Sequence, residues 1–126
     1  MELKYPRKSL MVTIEPLPDH SQQGCRLGKH YWSVARLIAL SQGFEPFTLP
    51  LHHLNIYKVY GDLTLRQVVE LMKATQEASL EFPIILDEDG EIMDGRHRVM
   101  KALLEGKDSV LAVRFNKNPP PCVINE

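Results

Sequence analysis

The chain is short of the features that would assign it at a glance. Only 7% of its 126 residues are aromatic, and it carries just two cysteines, Cys25 and Cys122. The thiols lie far apart, outside any C-x-x-C pair, and with the scattered histidines they make no zinc-ligand spacing. That pattern predicts two free thiols in a reducing compartment rather than a disulfide framework or a metal scaffold. No apolar run is long enough to cross a bilayer. The basic start (Lys4, Arg7, Lys8) lacks the apolar stretch of a signal peptide, so the expectation is a cytoplasmic protein without a membrane partner. A charge excess is also missing: 15 Lys and Arg against 16 Asp and Glu leave a net charge of -1. Proteins held to DNA by counterion release need a clearly basic face, which disfavours DNA as a partner.

What remains is ordinary for one compact domain, with 44% hydrophobic and 25% charged residues. Leu10 to Ile14 alternates like a strand and stops before Pro16 and Pro18; Asp19 to Gly28 is polar and reads as a loop. Ser33 is placed to cap a helix whose Val34, Leu37 and Ile38 recur at helical spacing, with Gly43 as the stop. Trp32 before the cap and Leu37 inside it are spaced for a hydrophobic staple. Phe47 to His52 reads as a strand, held to an edge by Pro50. In that strand His52 and His53 would point to opposite faces and could not share a metal.

Thr64 and Gln67 form a capping box, and Leu65, Val68, Val69 and Met72 continue the helical period, predicting a helix over 65–79. Residues 82–86 form a strand, Asp87 to Gly90 a turn, and 91–93 a returning strand. A helix follows Gly95 directly, with Val99, Met100, Leu103 and Leu104 as its expected buried face and Gly106 as its end. Val110 to Phe115 is a last strand. The mixture of helices with a hairpin and further strands predicts an α+β domain with a small mixed sheet.

The junction at Asp94-Gly95-Arg96-His97-Arg98 is the most informative stretch. A helix start offers backbone N–H groups without internal partners and a partial positive charge, a combination suited to phosphate. Gly95 permits an unusual backbone turn and a close approach. Arginines at Arg96 and Arg98 oppose the helix dipole, an unfavourable placement that a bound anion would reverse. Arg98 offers a planar fork for phosphate oxygens, with an ion pair to Asp94 as its other reading. His97 can donate to phosphate or act as acid or base near neutral pH. Asp94 can hold Mg²⁺ or accept a hydroxyl proton, or simply cap the helix. Tyr57, Lys58 and Tyr60 follow the 47–52 strand where a base or ribose could stack. Cys25 has only Arg26 nearby to activate it.

Residues 82–115, FPIILDEDGEIMDGRHRVMKALLEGKDSVLAVRF, resemble the core of the ParB/sulfiredoxin superfamily, with its strand, hairpin, G-x-x-R turn, helix and strand in order. Upstream, FTLPLHHLNI resembles the family's first strand. The resemblance spans Phe47 to Phe115. It implies a ParB/sulfiredoxin-like core at 47–115, an N-terminal extension with one helix at 1–46, and a Pro-rich tail at 116–126. It also implies nucleotide phosphates at Gly95, His97 and Arg98. Arg96 stands where sulfiredoxins carry their catalytic cysteine, which argues against sulfinic-acid reduction. It also stands where partition ParB proteins carry Glu in G-E-R-R, and the eleven residues after Phe115 are too few for a helix-turn-helix, so sequence-specific DNA reading is not expected. The turn is most similar to the D-G-H-H-R of the superfamily's free serine kinases, matching at Asp94, Gly95, His97 and Arg98. Those kinases use a Glu near the end of the first strand, where this chain has His52, His53 and Asn55. The expectation is a nucleotide-binding domain taking ATP, ADP or CTP with Mg²⁺, with Gly95, Arg96, His97 and Arg98 on the phosphates. Asp94 and His97 would be its catalytic candidates for NTP hydrolysis or phosphoryl transfer to a small-molecule acceptor. The alternative is a non-enzymatic module using the same arginines on DNA backbone phosphates.

Overall fold

The computed structural model describes residues 24–55 and 61–124. The strand expected at Leu10 to Ile14 and the Tyr57, Lys58 and Tyr60 cluster lie outside these residues. The fold is α+β. In chain order the elements are β1 (Gly24–Leu27), β2 (His30–Ser33), α1 (Val34–Leu40), β3 (Phe47–Pro50), a 3-10 turn (Leu51–His53) and α2 (Leu65–Glu77). They continue with β4 (Ile84–Leu86), β5 (Ile92–Asp94), α3 (Arg96–Leu104), β6 (Ser109–Arg114) and β7 (Val123–Ile124). A four-stranded mixed sheet runs β3-β6-β4-β5, and a three-stranded sheet runs β1-β2-β7. In the larger sheet β4 lies parallel to β6, while β3 with β6 and β4 with β5 are antiparallel. As Pro50 requires, β3 is an edge strand.

Strand alternation divides the core in two. Ile84, Leu86, Val110 and Ala112 point to one face of the larger sheet and pack with Leu49, Val99 and Ala102. Ile85, Val113 and Phe115 point to the other and pack with Cys25, Trp32, Leu37 and Met93. The N-terminal hairpin and α1 therefore cover the second face, bringing β1 against β5. Ile84 and Leu37 are fully buried, each worth about 1.5–3 kcal/mol of hydrophobic stabilisation.

The local signals act as their chemistry dictates. Ser33 Oγ accepts from Arg36 N at 3.3 Å. The Thr64 capping box closes reciprocally, with Thr64 N donating to Gln67 Oε1 at 2.9 Å and Gln67 N to Thr64 Oγ1 at 3.1 Å. Asp87 Oδ1 accepts from Asp89 N and Glu91 N, both at 2.8 Å, and so shapes the turn between β4 and β5.

Several expectations are corrected. Gly24 to Leu27 is strand, not loop, because pairing with β2 satisfies its backbone and Cys25 is buried in the core. Within the Pro-rich tail lies a strand that the sequence did not announce: β7 pairs with β2, while Trp32 Nε1 donates to Pro119 O at 2.8 Å and Arg36 donates to Pro120 O. His52 and His53 sit in a 3-10 turn rather than a strand, with ring centroids 4.5 Å apart. The helix expected over 65–79 ends at Glu77, and the residues that set its period face outward: Leu65 is 86% exposed and Met72 57%. The helix packs instead through Ala74 and Thr75, small residues that allow close approach to α3. On α3 itself Val99 and Ala102 are buried while Leu103 and Leu104 are exposed.

Candidate functional site

The hairpin of β4 and β5 delivers the chain to Gly95, the residue that starts α3. Gly95 adopts φ 110°, ψ 19°, in the left-handed region. A Cβ there would lie 2.5 Å from Ile84 Cγ2, so glycine lets the turn sit tightly on the sheet. The close approach at Gly95 is thus to the protein's own core. Gly95 O accepts from Arg98 N at 3.0 Å and from Val99 N at 3.1 Å. Among the described residues no side chain caps this helix end, and its first turn contains no acidic residue. Asp94 is therefore not the helix cap.

Two cavities open beside this turn and share Asp94. The smaller, about 240 Å³, is lined on one side by Asp94, Gly95, Arg96 and His97 and on the other by Cys25 and Arg26 of β1. It brings the start of α3 together with two arginines from different elements. The Arg26 guanidinium carbon lies 5.5 Å from the centre of the Tyr31 ring, a cation–π contact that holds this side chain. The sequence reading did not identify Arg26 as a site residue. Its signal was the alternation Cys25 and Leu27 inward, Arg26 outward, which becomes legible only once that stretch is known to be a strand.

His97 is half-buried, and burial pushes its pKa below the ordinary histidine value; Asp94 opposes that shift and Arg98 adds to it. Its imidazole is consequently biased toward the neutral form, suited to accept a proton. Cys25 is pushed up to about 11, chiefly by burial, with Arg96 countering. That thiol is protonated at neutral pH and is not a nucleophile.

Arg98 does not join the smaller cavity. Nη1 donates to Pro83 O at 2.9 Å and Nη2 lies 3.4 Å from Asp94 Oδ2. The ion-pair reading of Arg98 is therefore the one its geometry supports. Both side chains line the second, larger cavity of about 690 Å³, whose walls include Val34, Ile38, Phe44, Phe82 and Ile85. The five sequence-predicted site residues are thus contiguous but divided: Gly95, Arg96 and His97 on one side, Arg98 on the other, and Asp94 on both.

Among the described residues, no group of three or more His, Cys, Asp or Glu side chains is arranged to hold a metal ion. Among them, too, no helix is long and apolar enough to cross a membrane. Searches against protein-family models, curated proteins and solved structures find no match to this chain.

Proposed function

We propose that this chain is a nucleotide-binding domain of ParB/sulfiredoxin type that holds phosphates in the cavity between β1 and the start of α3. The observation that carries this reading is the meeting, in about 240 Å³, of an uncapped helix N-terminus with Arg26 and Arg96. Helix-start amides and guanidinium groups are the protein's best phosphate donors, and here they come from two separate parts of the chain. An anion between them offsets the cost of placing Arg96 against the helix dipole.

Asp94 and His97 stand in the same cavity and support a phosphoryl-transfer or hydrolytic role. The half-buried, neutral-leaning imidazole serves as a proton acceptor next to the phosphate position. Mg²⁺ usually reaches such sites on the nucleotide, with one or two protein carboxylates completing its shell. Asp94 is the carboxylate at this cavity that would take that role, and the ion would supply charge neutralisation on the phosphates.

Calorimetric titration with inorganic tripolyphosphate and with nucleoside triphosphates, with and without Mg²⁺, tests the proposal. Saturable binding that weakens about tenfold or more in both Arg26→Ala and Arg96→Ala is the expected result. Absence of binding at millimolar ligand, or binding indifferent to both substitutions, would overturn it.

A further inference from the structure

The apolar residues that set the period of α2 face away from the rest of the described fold. Leu65, Val68, Val69 and Met72 recur at i, i+3, i+4 and i+7, so they form one stripe about 100° wide along the helix. Burying such a stripe is what ordinarily holds a helix to its domain. Here Leu65 and Met72 stand largely outside the fold, and Val69 and Val68 are 44% and 40% exposed. The contact with α3 is made by Ala74 and Thr75, on another side of the helix. Leu63, also exposed, precedes the Thr64 cap and is spaced to lie beside Val68, which extends the stripe to the helix start. Together the five side chains present about 400–500 Å² of mostly apolar surface, toward the upper end of what a monomer leaves as one patch. None of them lines either cavity beside α3.

We infer that this stripe is the interface for a second copy of the chain, the two α2 helices packing antiparallel about a two-fold axis at Val68. The stripe is self-complementary in that arrangement. Val68 meets its own counterpart. Leu65 comes within one residue, about 1.5 Å along the helix, of the level of Met72 in the other copy. The two most exposed apolar side chains of the helix thus cover each other, twice.

The charges beside the stripe select the same arrangement and a second copy as the occupant. Arg66 and Glu70 are both exposed, and the axis sets Arg66 of each copy level with Glu70 of the other. A parallel pairing would set Arg66 on Arg66 and Glu70 on Glu70. Lys73, the next cation along that side, is partly buried and already engaged within its own chain. A foreign surface would need no such reciprocal order within one helix. Two patches with their charged rims bury roughly 1,200 Å², the lower limit for a specific interface, so the association is weak, with a Kd in the micromolar range.

Sedimentation equilibrium of the full chain, from micromolar to submillimolar concentration at low ionic strength, tests the inference. The average mass should rise from one chain toward two. Leu65→Lys, at a position almost wholly outside the fold, should weaken association about tenfold or more and leave the circular dichroism and thermal midpoint unchanged. Arg66→Glu alone and Glu70→Arg alone should each weaken it about tenfold, because each places like charges together twice. An equimolar mixture of those two variants should recover association as a heterodimer, since the charges are again opposite at both places. A chain that stays monomeric at submillimolar concentration overturns the proposal. A dimer that Leu65→Lys leaves intact also overturns it, because its interface then lies elsewhere. Failure of the mixed charge variants to recover overturns the antiparallel two-fold arrangement. The phosphate site stands or falls separately, by its own titration.

Discussion

Gly95 and Ile84 leave no room between them: a Cβ on Gly95 would meet Ile84 Cγ2 at 2.5 Å and Ile84 Cβ at 2.8 Å. The start of α3 is thus pressed onto the centre of the sheet by a residue that also needs φ 110°. Gly95→Ala combines a positive-φ penalty with overpacking against a fully buried isoleucine. The expected loss is about 2–4 kcal/mol, read as a drop in the thermal midpoint of roughly 10 °C. A change under about 0.5 kcal/mol in thermal or urea unfolding would show that this turn is not seated as described.

Arg98→Met removes the bond to Pro83 O and leaves the nearly buried Asp94 carboxylate without its cation. Stability should fall by about 2 kcal/mol, since losing one member of a largely buried pair costs more than the pair contributes. Adding Asp94→Asn should cost less than the sum of the two single changes, because the uncompensated charge is then gone. Urea midpoints of the four proteins in the cycle give the comparison; strict additivity would mean that the two side chains do not interact.

His97 sets a pH dependence whose sign follows from its burial. The folded chain holds its pKa below the ordinary value of 6.5. Between the lowered folded value and the unfolded one, the unfolded chain binds more protons. Stability is therefore full above about pH 6.5 and is lost as pH falls through that window. His97→Gln should flatten this part of the profile. An NMR titration of the ring should show the lowered midpoint directly, and tripolyphosphate should raise it, because a nearby anion favours imidazolium. A midpoint above the ordinary histidine value in the free protein would contradict the placement.

The two thiols should separate cleanly under a disulfide-exchange reagent such as DTNB. Cys122 is exposed, and its pKa is lowered by a hydrogen bond with the Ser33 backbone and by the Arg36 guanidinium, whose Nη1 lies 3.6 Å from Sγ. Cys25 is buried and pushed up to about 11. At about pH 8 the native protein should react rapidly at Cys122 alone and release Cys25 only on unfolding. Arg36→Ala should slow Cys122 without changing Cys25. Prompt reaction of both cysteines would mean that β1 does not cover the sheet.

Trp32 links the local and the global in the N-terminal part of the chain. Its place before the Ser33 cap and its packing near Leu37 follow from helix-cap chemistry, and both are buried in one cluster. The bond from its indole to Pro119 could not be foreseen, because it joins residues 87 positions apart. Trp32→Phe should therefore weaken the hold on the tail by about 1 kcal/mol while keeping the helix start. The readout is faster proteolytic cleavage within 116–124; unchanged cleavage would mean that the indole bond does not tether the tail.

Much of the architecture was legible along the chain because its causes are local. The caps at Ser33 and Thr64, the Asp87 turn and the break at Gly95 depend on neighbours within about four residues. The Asp94–Arg98 pair was legible for the same reason, the two residues lying four apart on either side of the glycine turn. Periodicity also announced α2, but it identifies a helix and not the face that packs. Leu65, Val68, Val69 and Met72 defined the period yet lie outward, while Ala74 and Thr75 make the contact.

The linear chain on its own determined the three helices, the strands from Phe47 to Arg114, the α+β class and the glycine turn, since these arise from short-range backbone sterics and hydrogen bonding. Tertiary structure alone decided the rest: that a weakly patterned stretch becomes β1, that Arg26 and Arg96 line one cavity, and that Asp94 borders two. Those outcomes depend on burying Cys25, Trp32 and Leu37 against Ile85, Met93 and Val113, contacts between distant segments that no local rule encodes.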